Sequence, residues 1–213
     1  MKNTTQKRFI SIQGNLDRLG YLLGRARQLE QMGSLMVYRE VMYEAAKLAE
    51  RVACGYRELV IDTTLTDKYE LVEEVVSTLG ITVERDGDWY RVVIPALIPG
   101  KHAGSCRFIT DPLSVAMGRF CREHQPERLR ECVICFRHVF DRDFPERAMR
   151  DHDNLEVKKV QDVIADKLMV DDIGLWCSCL HVTVPGSADC TEIYLMPPAA
   201  LPAWLKIYPI QTP

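Results

Sequence analysis

Apolar residues at the start of the chain recur at alternating steps of three and four. Phe9, Ile12, Leu16, Leu19, Leu23 and Ala26 fall into one stripe of a helix. Gly33 follows as a stop and Ser34 can cap a second helix, whose stripe is Val37, Val41, Ala45, Leu48 and Val52, closed by Gly55. The pattern predicts a helical hairpin over residues 1–56. A connector over residues 57–88 follows: a short strand from Glu58 to Asp62, then a helix from Asp67 to Leu79. That helix has capping-box spacing at Asp67 and Glu70, and Gly80 sits past its end. Ile81 to Arg85 and Trp89 to Leu97 alternate as strands around Asp86-Gly87-Asp88, and Asp-Gly is a strong hairpin signal.

The remainder, residues 89–213, alternates between the two periods. A small-residue loop, Pro99 to Ser105, precedes a helix from Asp111 to His124. A strand from Arg130 to Phe140 comes next, with Val133, Ile134 and Phe136 as core candidates. A helix from Asn154 to Lys167 leads to two strands, Trp176 to Val184 and Thr191 to Met196, which read as a hairpin around Pro185-Gly186. The proline-rich tail from Pro197 is expected to lie extended on the surface. Strands mixed with helices predict an α+β fold with the helical hairpin added in front.

Composition narrows the class. At 213 residues, 47% hydrophobic and 27% charged, the chain suits one full core plus an appendage and does not read as disordered. The first residues lack the apolar core of a signal peptide, and no stretch approaches the roughly 20 apolar residues that span a bilayer. A cytoplasmic protein without membrane contact is expected, with its eight cysteines as thiols. Cys132 and Cys135 should point to opposite faces of a strand, which disfavours a shared zinc ion. Cys177, Cys179 and His181 share one face but lack a convincing fourth ligand. The net charge of −3 carries no nucleic-acid signal, and the arginines from Arg119 to Arg150 are diluted by acids. There is no Walker-type loop, dinucleotide fingerprint or serine nucleophile elbow, so no organic cofactor is expected.

The chemistry concentrates in Arg150-Asp151-His152-Asp153-Asn154-Leu155-Glu156-Val157-Lys158-Lys159 and in Asp171-Asp172 beyond the next helix. Two aspartates two apart at a helix start can aim both carboxylates one way, and a second acidic pair returns just before the following strand. Carboxylate oxygens are the ligands of hard divalent ions. Two such ions about 4 Å apart can activate water and stabilise the leaving oxygen of a phosphodiester. Asp151, Asp153, Asp171 and Asp172 are therefore the candidate ligands for Mg2+ or Mn2+. Each has a bland alternative. Asp153 and Glu156 fit a capping box, Asp151 an Asx turn and Asp171-Asp172 an acidic loop. His152 is expected to be a surface histidine pointing away from the acids. Lys101 and His102, in the glycine-containing loop, and Arg107 just after it can touch phosphate.

Asp-x-Asp-Asn-Leu, a following helix with lysine and aspartate, and Asp-Asp before a strand resemble the RusA family of Holliday junction resolvases, over about residues 89–196. The resemblance implies a mixed α/β nuclease domain, a metal-dependent homodimer and cleavage of branched DNA in recombination and repair. It makes Asp151, Asp153 and Asp172 the essential acids, with Asp171 beside them. The family's lysine lies four residues after the motif's second aspartate, where this chain has Val157. Lys158 and the helix aspartate, Asp162, each come one residue late. The expected activity is therefore a Mg-dependent endonuclease with Lys158 at the phosphate and Lys101, Arg107, Arg150 and Lys159 toward DNA. The alternative is a non-catalytic descendant of the fold that binds DNA or serves assembly. A homodimer is expected for three reasons: the two-fold symmetry of a junction, the apolar stripe of the hairpin, and a helix so long that Asp153 and Asp171 sit at opposite ends of it.

Overall fold

The computed structural model describes residues 2–63, 76, 79–101, 106–143 and 151–210. It is a mixed α+β protein. Its elements are α1 (Lys2–Gln31), α2 (Leu35–Thr63), β1 (Thr82–Asp86), β2 (Trp89–Ile94), α3 (Arg107–His124), β3 (Cys132–Asp141), α4 (Val157–Leu168), β4 (Cys177–Gly186), β5 (Cys190–Met196) and α5 (Leu201–Ile207). They fall into two compact units, Met1–Leu71 with His102–Phe108, and Val72–Lys101 with Ile109–Pro213. The helix expected from Asp67 lies outside the described residues except for Val76 and Leu79.

In the first unit α1 and α2 meet through Leu22, Ala26, Val41, Ala45 and Leu48, residues of the two stripes or next to them. Gly33 has φ +69° and ends α1, as its permissive backbone allows. Gly55 does not end α2. The helix runs on to Thr63 through the segment expected to be a strand. A Cβ on Gly55 would lie 2.9 Å from Ile12 Cγ1, so this glycine lets α1 and α2 approach closely.

The second unit is built on a five-stranded sheet in the order β1-β2-β5-β3-β4. β1 and β2 form the expected hairpin, with Asp86 opposite Trp89 and Gly87 at φ +61° in the turn. β4 and β5 do not form one. β3 lies between them, parallel to β4 and antiparallel to β5. Ile134, Cys135 and Phe136 are fully buried, so β3 gains most from a partner on each side. Parallel neighbours need a crossover, and α4 supplies it. The short link from β4 to β5 passes over the end of β3, where Asp189 Oδ1 accepts from the Asp141 N–H at 2.8 Å. Gly186 has no side chain there because a Cβ would come 2.3 Å from Val139 Cγ1.

One face of the sheet packs Trp89, Val133, Cys135, Tyr194 and Met196 against Trp204 of α5. The tail is therefore a helix anchored by a fully buried tryptophan rather than an extended surface strand. Pro198 and Pro202 fall in first turns, where a missing N–H costs nothing. On the other face α3 packs Phe120 edge-on to Tyr90. α4 buries Val157, Val160, Ile164 and Leu168.

Gly186→Ala should destabilise the protein by about 1–3 kcal/mol in urea unfolding, the cost of overpacking. Val139→Ala in the same chain should recover part of that loss. Two independent, additive losses would show that the β4–β5 link does not cross β3 this closely.

Candidate functional site

The acidic motif lies on a turn ahead of α4. Asp151 caps a single 3-10 turn, His152–Asn154. Its carboxylate accepts from the Asp153 N–H at 3.2 Å and from the Asn154 side-chain amide at 2.5 Å, so the Asx-turn expectation holds. Leu155 then turns extended, at φ −90° and ψ 151°, and bridges to Gly100. The Lys101 N–H donates to the Asn154 carbonyl at 2.6 Å, and the Glu156 N–H donates to the Pro99 carbonyl at 2.9 Å. These bonds stitch the Pro99–Lys101 segment to the motif and place exposed Lys101 beside it.

The helix thus begins only at Val157, with Glu156 as its N-cap and no side-chain cap bond. The capping-box explanation for Asp153 fails, because the extended Leu155 separates Asp153 from the helix. Asp153 is left exposed.

The late start places Lys158 in the first turn of α4. Its Nζ is hydrogen-bonded to Asp172 and lies 2.9 Å from Asp162 Oδ1. Gln161 Nε2 also donates to Asp172, at 3.4 Å. Asp172 therefore lies beside the first two turns of the helix, the chain having doubled back after Leu168. These bonds, first the one to Asp172, hold the Lys158 ammonium above the ordinary lysine range. The doubling back removes the helix-length argument for building the site from two chains. Asp171 is exposed next to Asp172.

His152, between the motif aspartates, is the residue that touches β4, through Thr183 and His181. The negative charge of Asp172 acts on the Cys132 and Cys177 thiols, and that of Asp153 on His181. Cys177 and His181 are four positions apart on the strand, about 13 Å at 3.3 Å per residue. Among the described residues, no three His, Cys, Asp or Glu side chains are grouped so as to hold a metal ion. Magnesium takes one or two protein carboxylates and completes its shell with water and substrate oxygens. The expected cluster of Asp151, Asp153, Asp171 and Asp172 is thus not formed as a metal-holding group: Asp151 is taken up by its turn, Asp153 is exposed and Asp172 is paired with Lys158.

The other candidates separate. Lys159 pairs with Glu156 at 3.0 Å. Arg107 belongs to the first unit, where it pairs with Glu58. Arg150 and His102 lie outside the described residues. Several arginines are engaged in the fold. Arg137 pairs with Glu192, Arg130 sits over the Trp176 ring at 4.6 Å, and Arg128 donates to the Asp166 carbonyl at 3.1 Å.

His152 is not a surface residue. It is partly buried, and its Nε2 shares a 2.8 Å hydrogen bond with Thr183 Oγ1 of β4. Its ring stacks 5.0 Å from His138 and 5.1 Å from His181, which are themselves stacked at 5.7 Å. His181 Nε2 lies 3.2 Å from Cys179 Sγ. The signal for this cluster was the alternation of Cys179, His181 and Thr183 on one face of β4, with His138 the β3 residue opposite Thr183. The thiols are poor ligands and nucleophiles here. Burial pushes Cys132 and Cys135 up to about 12 and Cys179 up to about 11.

Burial holds His181 below the ordinary histidine value, His152 adds to the effect, and Asp153 opposes it. A histidine kept neutral in the fold is protonated more readily when unfolded. Stability therefore falls as pH drops below about 6.5, through the window down to the folded value. The melting temperature should decrease between pH 7.5 and 5.5, and His181→Gln should make that decrease smaller. An equal decrease in both proteins would contradict this assignment.

No helix among the described residues is long and apolar enough to cross a membrane. No curated protein matches the sequence. One family model matches residues 1–211, covering the two N-terminal helices and the sheet unit together, and the chain belongs to that family, the Family of unknown function (DUF6100).

Proposed function

We propose that this chain is a divalent-metal-dependent endodeoxyribonuclease of the RusA type, cutting phosphodiesters in branched DNA as a homodimer. Its nuclease domain would follow an N-terminal helical hairpin. The observation that supports this reading is the meeting of Lys158 with Asp172. The lysine and the helix aspartate each fall one residue late against the RusA pattern, and α4 starts late enough for Lys158, which also pairs with Asp162, to reach Asp172. Asp153 and Asp172 are the acids that would hold Mg2+ or Mn2+, with Asp171 at the edge. Asp151 fixes the turn through both of its oxygens. When bound, such an ion polarises water and neutralises phosphate charge. Lys158 adds a positive charge where the phosphate gains negative charge, and its exposed ion pair with Asp172 is worth only about 0–1 kcal/mol, so a phosphate can displace it. Lys101 lies on the loop bonded to the motif and can track the DNA backbone.

A second reading, a non-catalytic descendant that binds DNA or serves assembly, draws support from Asp151. Its carboxylate is already committed to the turn, a structural duty.

Four-way and linear DNA incubated with the protein, with and without magnesium or manganese, separates the two. The nuclease reading expects metal-dependent cleavage of the four-way substrate. It expects Asp153→Asn to reduce that cleavage at least about 100-fold, with a stability change within about 0.5 kcal/mol, as at an exposed position. Tight binding of the junction without cleavage supports the second reading. Full activity in Asp153→Asn removes this residue from the mechanism.

A further inference from the structure

The residue between the two motif aspartates has a different environment from either. Asp151 and Asp153 are exposed, whereas His152 turns onto the sheet. Three contacts hold it there: the 2.8 Å hydrogen bond to Thr183 Oγ1, the ring stack on His138 of β3, and the ring stack on His181 of β4. His181 is itself backed by Phe136, with ring centroids 5.2 Å apart, and Phe136 and His138 are fully buried. The 3-10 turn has three residues and one side-chain cap, from Asp151. A turn that short has little hold of its own, so the His152 side chain is its lateral tie to β3 and β4.

We propose that His152 is the positioning residue of the acidic site, a clamp that fixes the Asp151–Asp153 turn against β4 and so sets where the Asp153 carboxylate points. The clamp acts through Asp153 and does not touch the substrate. The inference rests on the reading of Asp153 as a metal-holding acid, and it adds the component that orients that acid. Thr183 is the fixed end of the clamp, because it belongs to a strand paired along its length with β3. Side chains that orient a ligating group from behind are typically worth about 10–100-fold in metal affinity.

The test uses the full chain, with Mn2+ binding followed by titration calorimetry and amide exchange followed at Asp153, Asn154 and Leu155. All three amides are hydrogen-bonded within the turn. His152→Ala should weaken Mn2+ roughly tenfold or more and speed exchange at these amides. His152→Phe keeps a ring for the stack and should recover part of both effects. Thr183→Val changes no residue of the turn and should shift both readouts the same way. Its combination with His152→Ala should be no weaker than His152→Ala alone, because both remove one contact. If His152→Ala fails to fold, His152→Phe and Thr183→Val carry the same test.

Unchanged amide exchange in these variants overturns the clamp, whether or not metal binds. Fully additive losses from His152→Ala and Thr183→Val overturn it too. Wild-type protein that binds no Mn2+ while His152→Ala still speeds exchange overturns the metal reading alone and leaves the clamp standing.

Discussion

Leu155 is extended and bridged to Gly100, so α4 cannot begin before Glu156. The arrangement of the site depends on this constraint. A helix started at Asn154 would spend Asp153 as its cap and turn Lys158 to another face, since one residue rotates a helix by about 100°. Starting at Val157, the helix leaves Asp153 in solvent. It presents Lys158 and Gln161 toward the returning chain, where Asp172 meets both. The bridge also joins the Pro99–Lys101 segment to the motif, so a basic side chain from one loop and acids from another share one location.

The strengths of these contacts differ in a way that suits a binding site. The scaffold under the turn is buried: Phe136, His138 and the inner residues of β3 are inaccessible to solvent. The charges above it are exposed and weakly paired. Lys158 is largely exposed, and its ion pairs can be exchanged for a ligand's at little cost. Desolvation opposes the charging of the His181 imidazole and of the Cys132 thiol.

Local chemistry was legible wherever one residue decided it. Asp-Gly set the β1–β2 turn, Gly33 ended α1, and alternation placed Cys132 and Cys135 on opposite faces of β3, Cys135 packing against Trp89 and Tyr194. Failures occurred where one local signal had two structural uses. Gly55 reads as a stop, yet it makes room for Ile12 of α1, a property of the partner helix. Asp153 with Glu156 reads as a capping box, yet the bridge to Gly100, far away in sequence, decides the helix start. The position of β3 between β4 and β5 is a non-local choice, driven by burial of both its faces, and a short Pro-Gly link cannot reveal it. His152 was misjudged because the partners that hold it, His138 and Thr183, come from two other elements.

The central proposal is that Asp153 and Asp172 of one chain together hold a hard divalent cation. Paramagnetic broadening by substoichiometric Mn2+ in an amide-resolved NMR spectrum tests it without requiring any activity. The account predicts that the amides around Asp153 and those around Asp172 broaden together, with the β4 amides between Cys177 and His181, and that Asp153→Asn abolishes the effect. Broadening confined to other acidic surface residues, or to one of the two acids alone, would contradict it.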